Sequence, residues 1–178
     1  MKKPSPLLSI GIRNGVIAGV LASVLLMATY YMMNRHPLMV SPFTDFRILL
    51  FGVFIFFTLK EFREDFQEGV LYFWQGMIGS LIFIIVTATI ASLLLLAFCT
   101  YESAFIPDYV KAMTDYLKTF PPEDIERIGK DIYDRNLEQL PSTNGKQLAG
   151  LYFMQSIMIG FFVSIILSVI LRKQPKPE

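Results

Sequence analysis

Apolar positions along this chain fall into long blocks divided by short polar segments. One block carries no charged side chain from Val70 to Tyr101, and another runs uncharged from Gln147 to Leu171. A helical run of about 20 such residues crosses the hydrocarbon core of a bilayer. A helix that is apolar on every side has no place on the surface of a small soluble domain. The pattern therefore predicts an all-α integral membrane protein with four transmembrane helices, at about 13–33, 43–60, 69–99 and 147–171. The chain, 1–178, reads as a single membrane domain, with residues 102–146 forming an extracytoplasmic helical hairpin between spans three and four.

The first two blocks need more argument than the last two. Lys2 and Lys3 ahead of an apolar stretch have the look of a signal peptide. Against that, Arg13 and Asn14 interrupt the stretch, the run Gly15–Met33 exceeds a usual leader core, and no small-residue cleavage site precedes Tyr30 and Tyr31. A retained first span is expected. In the second block the uncharged run Ile48–Leu59 is too short to cross about 30 Å of hydrocarbon. A helix start near Pro42, with Asp45 and Arg47 in its first turns and Arg47 snorkelling to the headgroups, supplies the missing length. A re-entrant or interfacial segment is the alternative. Lys60–Glu68 then reads as a charged hinge.

The polar insert has helical periodicity of its own. Val110, Met113, Leu117 and Phe120 form one stripe within Pro107–Phe120, and Ile125, Ile128, Ile132 and Leu140 form another within Pro122–Leu140. Pro121-Pro122 divides the two helices, and the stretch Pro141–Gly145 ends the second.

Composition agrees with the pattern: 53% of residues are hydrophobic and 17% charged, which is the balance of a membrane chain. The net charge of +1 gives no general attraction to nucleic acid, and no nucleic-acid partner is expected. Basic residues Lys2, Lys3, Arg13, Lys60, Arg63, Arg172, Lys173 and Lys176 lie near span ends on one side, whereas those of the insert are spread out and outnumbered by acids. The positive-inside bias then puts both termini in the cytoplasm. Cys99 has no second cysteine to pair with, and His36 is the single histidine. No catalytic, cofactor-binding or metal-binding set is expected from them, and no cofactor. Glu123, Asp124 and Glu126 read as a solvated helix start.

Small residues recur at every fourth position. Gly11, Gly15, Gly19 and Ser23 share one face of span one; Ser156, Gly160, Ser164 and Ser168 share one face of span four. Gly76, Ser80, Ala88 and Ser92 come close to the same pattern on span three. Such faces let helix backbones approach closely in lipid. Packing within the chain is the plain reading, and homodimerisation through span one or four the alternative. Asn14 and Gln75 are expected at one depth and within hydrogen-bonding reach, with Gln155 near the opposite face. Tyr30, Tyr31, Tyr101, Tyr152 and Phe153 suit an outer aromatic belt, and Tyr72, Phe73 and Trp74 an inner one. Spans three and four hold no mid-depth ionisable group, which argues against a proton-coupled pump.

The stretch Arg63-Glu-Asp-Phe-Gln-Glu-Gly69-Val-Leu-Tyr-Phe-Trp-Gln75-Gly76, the exit Phe105-Ile-Pro107-Asp108-Tyr109, the charged insert and the ending Leu171-Arg-Lys173 together resemble a bacterial four-span membrane family, domain of unknown function 4199. The resemblance implies a multi-pass inner-membrane protein with this same insert, and it brings no activity and no residue roles. The expected function is a non-enzymatic accessory or scaffold component of the cell envelope. Its partners would be membrane lipid, and a second copy or an envelope protein met through 102–146. A small oligomeric transporter or channel subunit is the alternative.

Overall fold

The computed structural model describes residues 5–33, 35–41 and 44–174, and among them the fold is all-α. Four long helices, α1 (Pro6–Met32), α2 (Phe46–Phe66), α3 (Phe73–Tyr101) and α7 (Gly145–Leu171), pack side by side. Three short ones, α4 (Phe105–Lys118), α5 (Pro122–Ile128) and α6 (Lys130–Gln139), sit between α3 and α7 at one end of the bundle, here the cap end.

Local chemistry sets the helix limits. The Ser5 hydroxyl accepts from the Leu8 N–H, and Pro6 occupies the first turn of α1, where its missing N–H costs nothing. Asn144 and Gln147 bond reciprocally at the start of α7, at 2.9 and 3.1 Å. Past the end of α2, Glu68 and Gly69 turn through positive φ of 49° and 82°, and Gly69 N–H returns to Arg63 O at 2.9 Å. The other end of the bundle, the base, is pinned by two backbone bonds of 2.9 Å between Leu71 and Lys173.

Helix directions follow from which residues meet. Gly11, Gly15 and Gly19 face Ile82, Val86 and Ile90 in the same order, so α1 and α3 are parallel. Gly160 faces Ile84 and Gly76 faces Ser168, so α7 runs opposite to α3. Asn14 meets Thr58 and Arg13 meets Glu61, while Arg47 meets Ser156 and Arg63 meets Leu171. Thus α2 is antiparallel to α1 and parallel to α7, flanking the others from the base to Arg47. The α2–α3 link therefore lies at the base and α4–α6 at the cap end. The core between the four helices is built from Phe51, Ile55, Leu59, Phe83, Ile84, Ala18 and Ala22, all buried.

Several expectations are corrected here. Four spans are expected; among the described residues three helices, α1, α3 and α7, are long and apolar enough to cross a membrane. The fourth, α2, falls short because Arg47 near one end and Lys60, Glu61, Arg63, Glu64 and Asp65 near the other leave a brief uncharged middle. The segment Lys60–Glu68 is no hinge as far as Phe66: its first residues are the last turns of α2. The second insert helix is broken at Gly129, whose φ of +96° no regular helix permits. Its stripe breaks with it, and Ile128 and Ile132 stay exposed. Lys2, Lys3, Pro42 and Lys176, which carried part of the argument on orientation and helix start, lie outside the described residues.

Candidate functional site

Polar chemistry collects in two places, both toward the cap end. The first lies where α1 stops, the link after it turns back, and α4 begins. Tyr30 donates its hydroxyl to Asp108 and Tyr31 donates to Glu102, each at 2.8 Å. His36 packs edge-on against Tyr109 and tilted over Phe105, with ring centroids 5.2 and 4.5 Å away. Its Nδ1 accepts from the Leu38 N–H at 3.3 Å, which leaves Nε2 as the protonated nitrogen donating to Phe105 O at 3.2 Å. Both nitrogens are thus used by the neutral ring. Burial pushes the imidazole down to about 4, against a smaller upward pull from the Phe105 carbonyl and Asp108. Burial likewise raises the Tyr109 phenol.

In front of these residues opens a cleft of about 420 Å³, lined by Tyr30, Tyr31, Arg35, His36, Glu102 and Asp108, with Met33 and Ala112 at its sides. The sequence reading assigns Tyr30 and Tyr31 to an aromatic belt and leaves His36 alone. It misses Glu102 and Asp108 altogether, because their partners lie more than seventy residues earlier in the chain. No local spacing signals such a pairing.

The second place is a charged network between α2 and α7. Arg47 is 2% exposed and Asp45 5%, so the guanidinium does not snorkel as expected. It pairs with the Asp45 carboxylate through Nε, at 2.9 Å to each oxygen, and through Nη2. Nη1 donates to Ser156 Oγ at 2.9 Å and to Tyr152 O at 3.3 Å, and Nη2 donates to Gln155 Oε1 at 3.0 Å. The Tyr152 ring lies under the guanidinium, 4.3 Å from its carbon. Asp45 also caps α2 by accepting from the Arg47 N–H at 2.9 Å. A buried charge persists where partners saturate its donors, as they do here. The signal in the sequence was Gln155-Ser156 on an otherwise apolar span, opposite the only charges of the second block that lie far from its base.

The small-residue faces lie inside the chain. A Cβ added to Gly11, Gly15 or Gly19 would come within 2.9, 2.9 and 2.8 Å of Ile82, Val86 and Ile90. At Gly160 it would meet Ile84 at 2.7 Å. Ser23, Ser156, Ser164 and Ser168 are all buried; Ser23 donates to Gly19 O, Ser164 to Phe161 O, and Ser156 to Tyr152 O. Asn14 bonds to Thr58 at 2.9 Å and not to Gln75, which instead caps α3 and reaches Gln67. The reason is geometric: Gly11 is already level with Gly79 and Ile82, so Gln75 lies nearer the base than Asn14. Cys99 is buried beside Gly145. Among the described residues no group of three His, Cys, Asp or Glu side chains is arranged to hold a metal.

Comparison with known proteins gives a family and little else. The family model described as "Protein of unknown function (DUF4199)" matches residues 13–173, and the chain belongs to that family. No curated protein and no solved structure matches it.

Proposed function

We propose that this DUF4199 protein crosses a bacterial inner membrane four times and serves there as a non-enzymatic accessory or scaffold component. Its termini face the cytoplasm and its α4–α6 cap faces outward. Support for α2 as the fourth crossing comes from its outer face, where Leu49, Val53 and Phe57 are exposed. They continue the apolar girdle formed by Val16, Val20 and Val24 on α1 and by Phe162, Ile166 and Val169 on α7. In water such a continuous girdle would be strongly unfavourable; in lipid it is the expected surface. The Asp45–Arg47 pair brings no net charge with it, and the remaining charges of α2 gather at the base.

One observation carries the choice between a scaffold and an oligomeric channel. The glycines of the α1 and α7 faces, which would serve for assembly, are filled by Ile82, Ile84, Val86 and Ile90 of the same chain, and Ser156 and Ser168 meet its own Arg47 and Gly76. That packing supports the single-chain scaffold over a path formed between copies. The protein should behave in mild detergent as a single chain of 20.3 kDa, by light scattering corrected for bound detergent. Reconstituted in liposomes, it should leave ion and small-solute leakage at the protein-free rate. A stable oligomer that raises leakage would reverse the choice in favour of the channel.

A further inference from the structure

The cap-end cleft mixes charges of both signs, and its carboxylates also hold the start of the cap against the end of α1. Glu102 and Asp108 put two carboxylates in its wall, and Arg35 puts one guanidinium there. Each carboxylate takes one phenolic hydrogen bond, and Glu102 a second from the Ala104 N–H, which still leaves lone pairs to accept from a donor in the cleft. A simple anion would be repelled by the acids. A bare metal ion would find two carboxylates and no third acidic, His or Cys ligand arranged with them. A primary ammonium fits better, since it donates several hydrogen bonds and carboxylates accept them strongly. Arg35, exposed on the same wall, offers a planar fork of donors suited to a phosphate. The volume of about 420 Å³ is that of a small-ligand site.

The lip of the cleft adds a second property. Where α1 ends, Tyr31, Met32 and Met33 are 64%, 84% and 57% exposed, an apolar edge directly beside the charged wall. Methionines left open in this way suit flexible hydrocarbon. We propose that the cleft binds a phosphoethanolamine moiety, ammonium on Glu102 and Asp108 and phosphate on Arg35, carried by a bilayer lipid whose chains lie over the Tyr31–Met33 edge. The inference rests on the membrane placement proposed above, but its test does not depend on sidedness.

Full-length protein in nanodiscs of equal parts phosphatidylethanolamine, phosphatidylglycerol and phosphatidylcholine is the material for that test, with retained lipid identified by native mass spectrometry. Phosphatidylethanolamine should be retained in preference to the other two. Arg35→Ala should reduce that retention about tenfold, and Glu102→Gln with Asp108→Asn by at least as much, the loss expected for charge-assisted bonds. Arg35→Lys should restore part of it. Both carboxylate replacements keep an acceptor for the tyrosine hydroxyls, so the cap stays docked, and circular dichroism checks this. Millimolar free phosphoethanolamine should leave the lipid in place; displacement would assign the same chemistry to a soluble ligand. Equal retention of the three lipids, or variants that bind like the parent, would overturn the proposal while leaving the four-crossing architecture intact.

Discussion

Asp45 and Arg47 enter the interior as a pair, and each keeps the other from being an isolated charge in an apolar surrounding. Removing one partner should therefore cost far more than removing both. Asp45→Ala is expected to lower stability by about 3–5 kcal/mol, since it also strips the cap from α2, whereas Asp45→Asn with Arg47→Met should recover a large part of that loss. Thermal unfolding in detergent reads the difference. His36 provides the pH-dependent counterpart. Its folded value of about 4 lies below the ordinary 6.5, so between those values the unfolded chain holds more protons than the folded one. The contribution is whole above about pH 6.5 and is lost as pH falls toward 4, on the order of 3 kcal/mol in all. The drop in melting temperature from pH 7 to pH 4.5 should be larger in the parent than in His36→Gln, which cannot take up the proton. A parent and variant with parallel pH profiles would refute the role given to the ring. The distant partners were not fixed by local spacing, because His36 meets Phe105 and Arg47 meets Ser156 across long stretches of intervening chain.

Whole helices were far easier to read than their partners. Uninterrupted apolar composition over α3 and α7 leaves no alternative to a long helix, and the every-fourth spacing of Gly11, Gly15 and Gly19 marks a face that must meet something bulky. What the spacing does not say is whether that partner belongs to the same chain. The β-branched series Ile82, Val86 and Ile90 answers at the same interval of four, one side chain per glycine notch. Gly15→Leu should then separate α1 from α3 and destabilise the bundle by about 1–3 kcal/mol or more, since its first carbon alone would lie 2.9 Å from Val86 and 3.0 Å from Phe83 O. Gly52→Ala is the control. Nothing lies within 4 Å of a Cβ at that site in α2, so helix propensity alone acts and stability should hold or rise by up to about 1 kcal/mol. Equal losses for the two would show that the notch is not occupied. The broken α5–α6 helix was less legible, because Gly129 stands inside a periodic stripe and periodicity overrode it.

For the molecule as a whole, the count of crossings depends on α2, the one element whose composition and packing disagree. By composition it lacks an uncharged run of spanning length; by packing it lies flush with three helices that have one. The disagreement dissolves if the bundle supplies what the sequence of α2 lacks: Ser156, Gln155 and Tyr152 solvate Arg47 at one end, and Glu61 meets Arg13 at the other, 2.5 Å apart. A helix held this way depends on its neighbours for membrane insertion, and its topology should be sensitive to them. Reporters inserted into the full-length chain after Val40 and after Asp65, on either side of α2, should report opposite sides of the membrane in the parent chain. Introducing Ser156→Leu together with Gln155→Leu removes two of the acceptors for Arg47 and should shift a fraction of chains to a form in which both reporters give the same side. If the parent itself gives matching signals, α2 does not cross and the cap lies in the cytoplasm. If the α7 variant keeps the opposite pattern in full, α2 inserts without help from α7, and its own short apolar run is sufficient.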